Sequence, residues 1–343
     1  MQKIIVTGYN GFIGSLLVPS LKENGYEVVG IDTDYYDRSC ELFSPDFKGV
    51  KLFKKDIRNI DPKDIDGAYA ICHLAALSND PIGAIDKELT YDINYKASLR
   101  LAKLAKKAGV EKFIFSSSCS MYGAAASEAL TEEAGFNPLT AYAESKVLSE
   151  KNIMPLKSRD FSITFLRNGT AYGVSPKLRV DLAVNNLVGW AITTGQIKIL
   201  SDGTSWRPFV HAEDIAGAFL SVIRAPKEEV NGESFNVGMN SENFQIKDVA
   251  YLIKEVMPEC RVVITGEYGV DARSYKVSFD KIKRMLPSFR PRWNLRKGIE
   301  QIYKFCKKYK MDSAKFNGRY FIRLKQISYL IENDKLDSKL YWR

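Results

Sequence analysis

The chain has 343 residues, 45% of them apolar, and a formal net charge of +9. That is enough apolar material for one large domain or two interlocked ones, and no apolar run reaches the ~20 residues needed to span a bilayer. Two histidines (His73 and His211) and five scattered cysteines without a close pair argue against a zinc site and a disulfide framework, and fit reduced thiols in a cytosol.

Met1-Gln2-Lys3 leads straight into an apolar run, so no signal peptide is read and a cytoplasmic location is expected. The charge is uneven: Asp271 to Arg343 holds 20 Lys and Arg against 7 Asp and Glu, which leaves the rest mildly acidic. A basic end of this kind attracts an anionic ligand, or is a solvated helical surface. No nucleic-acid motif, Arg/Gly tract, repeat or low-complexity stretch accompanies it, so neither a nucleic-acid nor a membrane partner is expected.

In chain order, Lys3 to Thr7 reads as a strand and Phe12 to Glu23 as a helix stopped by Asn24-Gly25. Glu27 to Ile31, Val50 to Phe53 and Tyr69 to His73 read as strands two to four, and Leu89 to Ala108 as a long helix stopped by Gly109. Glu111 to Ser116 is a fifth strand, Thr140 to about Lys157 a helix with Thr140 as its N-cap, and Phe161 to Arg167 a sixth strand. Alternation of apolar runs with amphipathic ones predicts an α/β fold, a doubly wound parallel sheet of Rossmann type. After Gly173 loops alternate with mostly helical segments, Phe235 to Val237 returns as one more strand, and Gly318 to Asp334 reads as an amphipathic helix. The expected division is 1–172 with 207–240 as a dinucleotide-binding domain. The remainder, 173–206 with 241–343, is a smaller mixed α/β lobe with a C-terminal helical tail.

Gly8-Tyr9-Asn10-Gly11-Phe12-Ile13-Gly14 follows the first strand and opens the first helix. The first glycine makes the tight turn, the second admits a pyrophosphate, and the third lets helix and sheet pack closely. The helix N-terminus adds partial positive charge. Asp32, 18 residues past Gly14, closes the second strand, where a carboxylate accepts from ribose hydroxyls and repels a 2′-phosphate. NAD is therefore expected rather than NADP.

Tyr142-Ala-Glu-Ser-Lys146 lies on a predicted helix, and residues four apart share a face. A phenol of pKa near ~10 is a poor base, but a neighbouring ammonium and an oxidised nicotinamide both favour the phenolate. Ser116-Ser117-Ser118-Cys119-Ser120-Met121-Tyr122-Gly123 ends the fifth strand, where ligands bind in open parallel sheets.

Together these elements resemble the extended short-chain dehydrogenase/reductase family, in its NAD-dependent nucleotide-sugar epimerase/dehydratase branch, from the first strand to about residue 285. The last fifty or so residues match only vaguely. The resemblance implies that Ser118 is the catalytic hydroxyl, Tyr142 the acid/base and Lys146 its ribose-binding partner. It implies adenine contacts at Asp56-Ile57 and a segment under the cofactor phosphates at Leu74-Ala75-Ala76. Asn94 and Ser116 fall near the cofactor. Asn186-Leu187, Arg207, Asp271, Arg273 and Tyr275 match the parts that grip a nucleotide-diphosphate sugar, with Ser120 and Thr170 beside the sugar. A guanidinium fork suits phosphate on physical grounds as well.

The chain departs from the family in having Thr170 where relatives have asparagine and Pro208 where they have aspartate. The sugar 4,6-dehydratases carry Asp-Glu after the catalytic hydroxyl; here Cys119-Ser120 stands there, which speaks against a dehydratase. Cys119 is either an acid/base thiol or a small buried filler. The resemblance implies an epimerase working through a transient 4-keto sugar, and a homodimer. A net C4 dehydrogenase or 4-keto reductase, and a non-catalytic nucleotide-sensing regulator, remain open as alternatives.

Overall fold

Seven short strands, most of them with apolar, buried centres, build one parallel sheet. They are β1 (Lys3–Thr7), β2 (Glu27–Asp32), β3 (Lys51–Lys54), β4 (Ala70–His73), β5 (Lys112–Ser118), β6 (Ser162–Asn168) and β7 (Glu233–Val237). The computed structural model describes residues 1–36, 41–78, 86–267 and 273–343, the side chains of 125–127 apart. The spatial order is β7-β6-β5-β4-β1-β2-β3, with every neighbouring pair parallel. Strand order reverses between β1 and β4, and in an open parallel sheet the crevice for ligands lies at that switch point.

Successive side chains of a strand point to opposite faces, so β1 feeds two cores. Ile4 and Val6 join a core with α1 (Gly14–Glu23), while Ile5 joins another with Ile71, Phe113 and Phe165. The long helix expected from Leu89 is longer and interrupted. Lys87–Tyr91 passes through a π-turn, Asp92–Lys96, into α2 (Ala97–Lys107). α2 and α3 (Ala141–Ile153) cover the second core. Thr140 caps α3 as expected, its Oγ1 accepting from Ala143 N–H at 3.2 Å.

A third core joins α4 (Ala183–Thr194), α6 (Ile246–Val256) and α7 (Leu295–Lys308), through residues such as Val184, Phe209, Ile253 and Ile299. Between α4 and α6 in sequence, α5 (Ala212–Arg224) packs on the first core through Ile215, Phe219 and Val222. The tail helix, α8 (Arg323–Glu332), begins five residues later than its pattern suggested. The stretch after Gly173 is also less helical than expected. Gln196–Ile199 pairs with Arg261–Ile264, and Trp206–His211 pairs with Thr170–Tyr172 and Asn243–Gln245. Ala124–Leu130 pairs with Ser274–Val277. Such short pairings depend on distant partners and leave little local periodicity.

Candidate active site

The glycine loop is set by close approach. Gly8 has φ +76°, and a Cβ there would lie 2.7 Å from Ala75 N. A Cβ on Gly14 would lie 2.1 Å from Gly8 O, so only glycine lets α1 start this near β1. No side chain caps α1, whose N-terminal end opens on the crevice. Asp32 accepts from the backbone N–H of Asn10 (3.1 Å) and Asp34 (2.9 Å). Desolvation and the Asp34 charge push its carboxyl up to about 6, against those two N–H groups and Lys177.

At the carboxyl end of β5, Ser116, Ser118 and Ser120 line the same crevice as Tyr142 and Lys146. Lys146 is buried, donates to Ser116 O at 2.8 Å, and holds its ammonium 5.7 Å from the centre of the Tyr142 ring. Burial pulls its pKa down to about 7, with Glu150 acting the other way. Behind it Glu150 and Arg167 form a buried pair (Nη2 to Oε2 2.7 Å), and Ser117 Oγ donates to Glu150 at 2.6 Å. This pair ties α3 to β5 and β6. Among the described residues, Ser120 Oγ and Asn168 Oδ1, buried atoms of crevice-lining side chains, have no hydrogen-bond partner. Such atoms are costly unless a ligand or water meets them. The crevice holds about 1050 Å³, at the top of the usual ~300–1,000 Å³ for one small ligand.

The glycine cradle and the carboxylate closing β2 fit a dinucleotide, and comparison with known proteins agrees. The sequence profile of the NAD dependent epimerase/dehydratase family matches residues 4–238. The chain belongs to that family. It is 30% identical over 250 residues to the UDP-glucose 4-epimerase of Mycolicibacterium smegmatis, covering 70% of this chain and 78% of that protein. It is also 26% identical over 329 residues to the dTDP-D-glucose 4,6-dehydratase of Mus musculus, covering 90% and 89%. The structure of UDP-glucuronic acid 4-epimerase from Bacillus cereus, in complex with UDP-glucuronic acid and NAD, superposes with a TM-score of 0.77 at 26% identity, over 90% of this chain and 99% of that one. NAD is therefore the cofactor of this enzyme, and nucleotide-sugar epimerases and dehydratases are its relatives.

Of the expected cofactor residues, Gly8, Gly11, Phe12, Ile13, Gly14, Asp32, Asp56, Ile57, Leu74, Ala75 and Ala76 line the crevice of this family member. Asp56 is itself engaged bidentately by Arg58, at 3.0 and 2.7 Å. Asn10 does not line it; its side-chain amide donates to Asp34 at 2.9 Å and so holds the loop beside Asp32. Asn94 is also a correction: it is buried in the π-turn, accepting from Leu77 N–H (2.8 Å) and donating to Leu77 O and Ser145 Oγ. It does not line the crevice, and it positions the segment after β4 against α3.

Among the expected substrate residues, Thr170, Asn186, Arg207, Arg273 and Tyr275 line the other end. Arg207 donates to the carbonyls of Trp206 and Arg273 and lies 5.7 Å from the Tyr275 ring. Leu187 instead turns into the third core, and Asp271 lies outside the described residues. Cys119 is corrected as well: it is fully buried, its thiol donates to Arg167 O at 3.1 Å, and burial raises its pKa. A thiol so placed is a buried filler and does not line the crevice.

The sequence reading missed Tyr36, Arg179 and Arg323, all on the crevice wall. Arg179 donates to Asp181 through two nitrogens (3.0 and 2.8 Å) and to Ser78 Oγ. Burial works against its charge, but Asp181, then Tyr36 and Tyr142, hold its pKa above the ordinary value. Tyr36 follows Asp32 by four residues, but only tertiary approach brings Arg179 and Arg323 to the site, so no local spacing marks those two.

Proposed function

We propose that the enzyme is a nucleotide-sugar epimerase that oxidises its substrate at C4 to a transient 4-keto sugar and reduces it again on the other face. The observation that carries this is the buried ammonium of Lys146 beside the Tyr142 ring, in one crevice with Ser118 and the glycine loop. The nearby cation stabilises the Tyr142 phenolate. That phenolate takes the C4 hydroxyl proton and later returns it, while Ser118 holds the C4 oxygen. NAD, when bound, accepts and gives back the hydride. Arg207, Arg273 and Asn186 hold the diphosphate end, the guanidinium groups matching phosphate geometry.

Dehydration across C5–C6 needs an acid and a base next to the catalytic hydroxyl. The two residues after Ser118 are Cys119, which is buried, and Ser120; neither is a carboxylic acid. This favours epimerisation over the chemistry of the dehydratase relatives. Incubating the purified, NAD-loaded protein with a panel of UDP- and dTDP-hexoses and their uronic acids, followed by proton NMR, tests the reading. The expected result is interconversion at C4 without added NAD and without a steady change at 340 nm. A steady change at 340 nm, or a dehydrated product, would overturn it.

A further inference from the structure

Beyond the residues matched by the family profile, the chain crosses from one core to another. Phe316 and Phe321 are buried in the third core, with Ile322 packed against it. Leu324 packs against the second core, which Ile327, Leu330, Leu336 and Leu340 complete. The crossing point is Arg323, 3% exposed and on the crevice wall. Its guanidinium donates to Lys177 O at 3.0 Å and stacks 3.9 Å above the Tyr36 ring.

Both segments that Arg323 touches border the cofactor end. Tyr36 lies four residues past Asp32. Ser175, two residues before Lys177, donates through Oγ to Phe12 O in the glycine loop at 2.7 Å. The loop after Asp32 is then fastened to the tail at three more points. Trp342 Nε1 donates to Thr33 O (2.6 Å), Gln326 to Tyr35 O (3.0 Å), and the Tyr35 hydroxyl to Leu340 O. The loop from Ser175 to Val180 is fastened by Val180 N–H donating to Phe321 O at 3.1 Å.

We infer that residues 321–342 are a strap that closes the adenosine end of the crevice over NAD, with Arg323 as its contact to the cofactor's diphosphate. A planar guanidinium fixed between the ribose-side loop and the glycine-loop side is suited to a diphosphate. The hydrophobic anchors on both sides oppose undocking, so exchange of NAD requires the strap to lift. This rests on the epimerase reading in one respect: an enzyme that returns its hydride every turnover has no need to release its cofactor.

The test is exchange of bound NAD for isotope-labelled NAD in the full-length protein without sugar, followed by mass spectrometry. Arg323→Gln and Trp342→Phe are expected to speed exchange at least about tenfold. Arg323→Lys should recover part of the loss, and Lys325→Ala, on the exposed face of α8, should exchange as the parent does. Exchange within twofold of the parent in both Arg323→Gln and Trp342→Phe overturns the proposal. Hydrogen exchange on the unaltered protein covers the case in which a variant fails to fold: NAD should slow amide exchange across 321–342, and no slowing there also overturns it. A steady 340 nm change with normal strap behaviour would instead sink the epimerase reading and leave the strap standing.

Discussion

Tyr142 and Lys146 show how little sequence a reactive pair needs. One helical turn puts both side chains on one face of α3, and burial of the lysine against β5 fixes the rest. Removing the phenolic oxygen with Tyr142→Phe should lower turnover by roughly 10²–10⁴-fold, the usual contribution of a positioned acid/base. The amount of NAD retained should stay as it was; both are read by NMR of product and by quantifying released cofactor. Asp32 supports a second prediction. Burial pushes its carboxyl up to about 6, so it is charged above that pH and neutral below. Ribose hydroxyls donate to the charged form, so binding NAD lowers this pKa and releases a proton. Affinity is then full above pH 6 and falls as the pH drops through it, by up to about tenfold per unit. Calorimetric titration at pH 7.5 and 5 should show the fall, and Asp32→Asn should show a weaker, flatter profile.

Between elements, the Glu150–Arg167 pair is a buried polar tie of α3 to the sheet. Arg167 also donates to the Tyr122 hydroxyl (3.1 Å) and to Glu132 O (2.8 Å), so its charge is well satisfied despite burial. Arg167→Met leaves a buried carboxylate without its partner and should cost about 3–5 kcal/mol. The double variant with Glu150→Gln should lose less than the sum of the two single changes, as urea midpoints would show. This level also separates what could be read in the sequence from what could not. The glycine loop, the serine cluster ending β5 and the pair on α3 are local patterns tied to strand–helix boundaries, and the inner sheet strands follow from apolar centres covered on both faces, whereas β3 is an exposed edge. Orientation is another matter. Resemblance put Asn94 and Cys119 near the site, but a π-turn aims the first at the Leu77 backbone and a 3₁₀ turn from Cys119 to Tyr122 buries the second. Arg179 and Arg323 reach the crevice only because distant segments fold over it.

Across the whole molecule, three cores meet around one crevice, so the cofactor and the folded state are linked. NAD at a hundred times its dissociation constant should add about 2.7 kcal/mol of stability, seen as a higher melting temperature on loading. The added stability should shrink between pH 7.5 and 5, following Asp32. The return of the tail has a consequence for how the polypeptide is made. Ile5 on the first strand and Leu340 near the last residue belong to the same core, and Arg58 stacks 3.8 Å from the ring of Tyr341. That core therefore cannot close until residues 324–340 have been synthesised and have docked, however early the strands pair. Docking of this returning segment, rather than completion of the sheet, is the step that seals the nascent core.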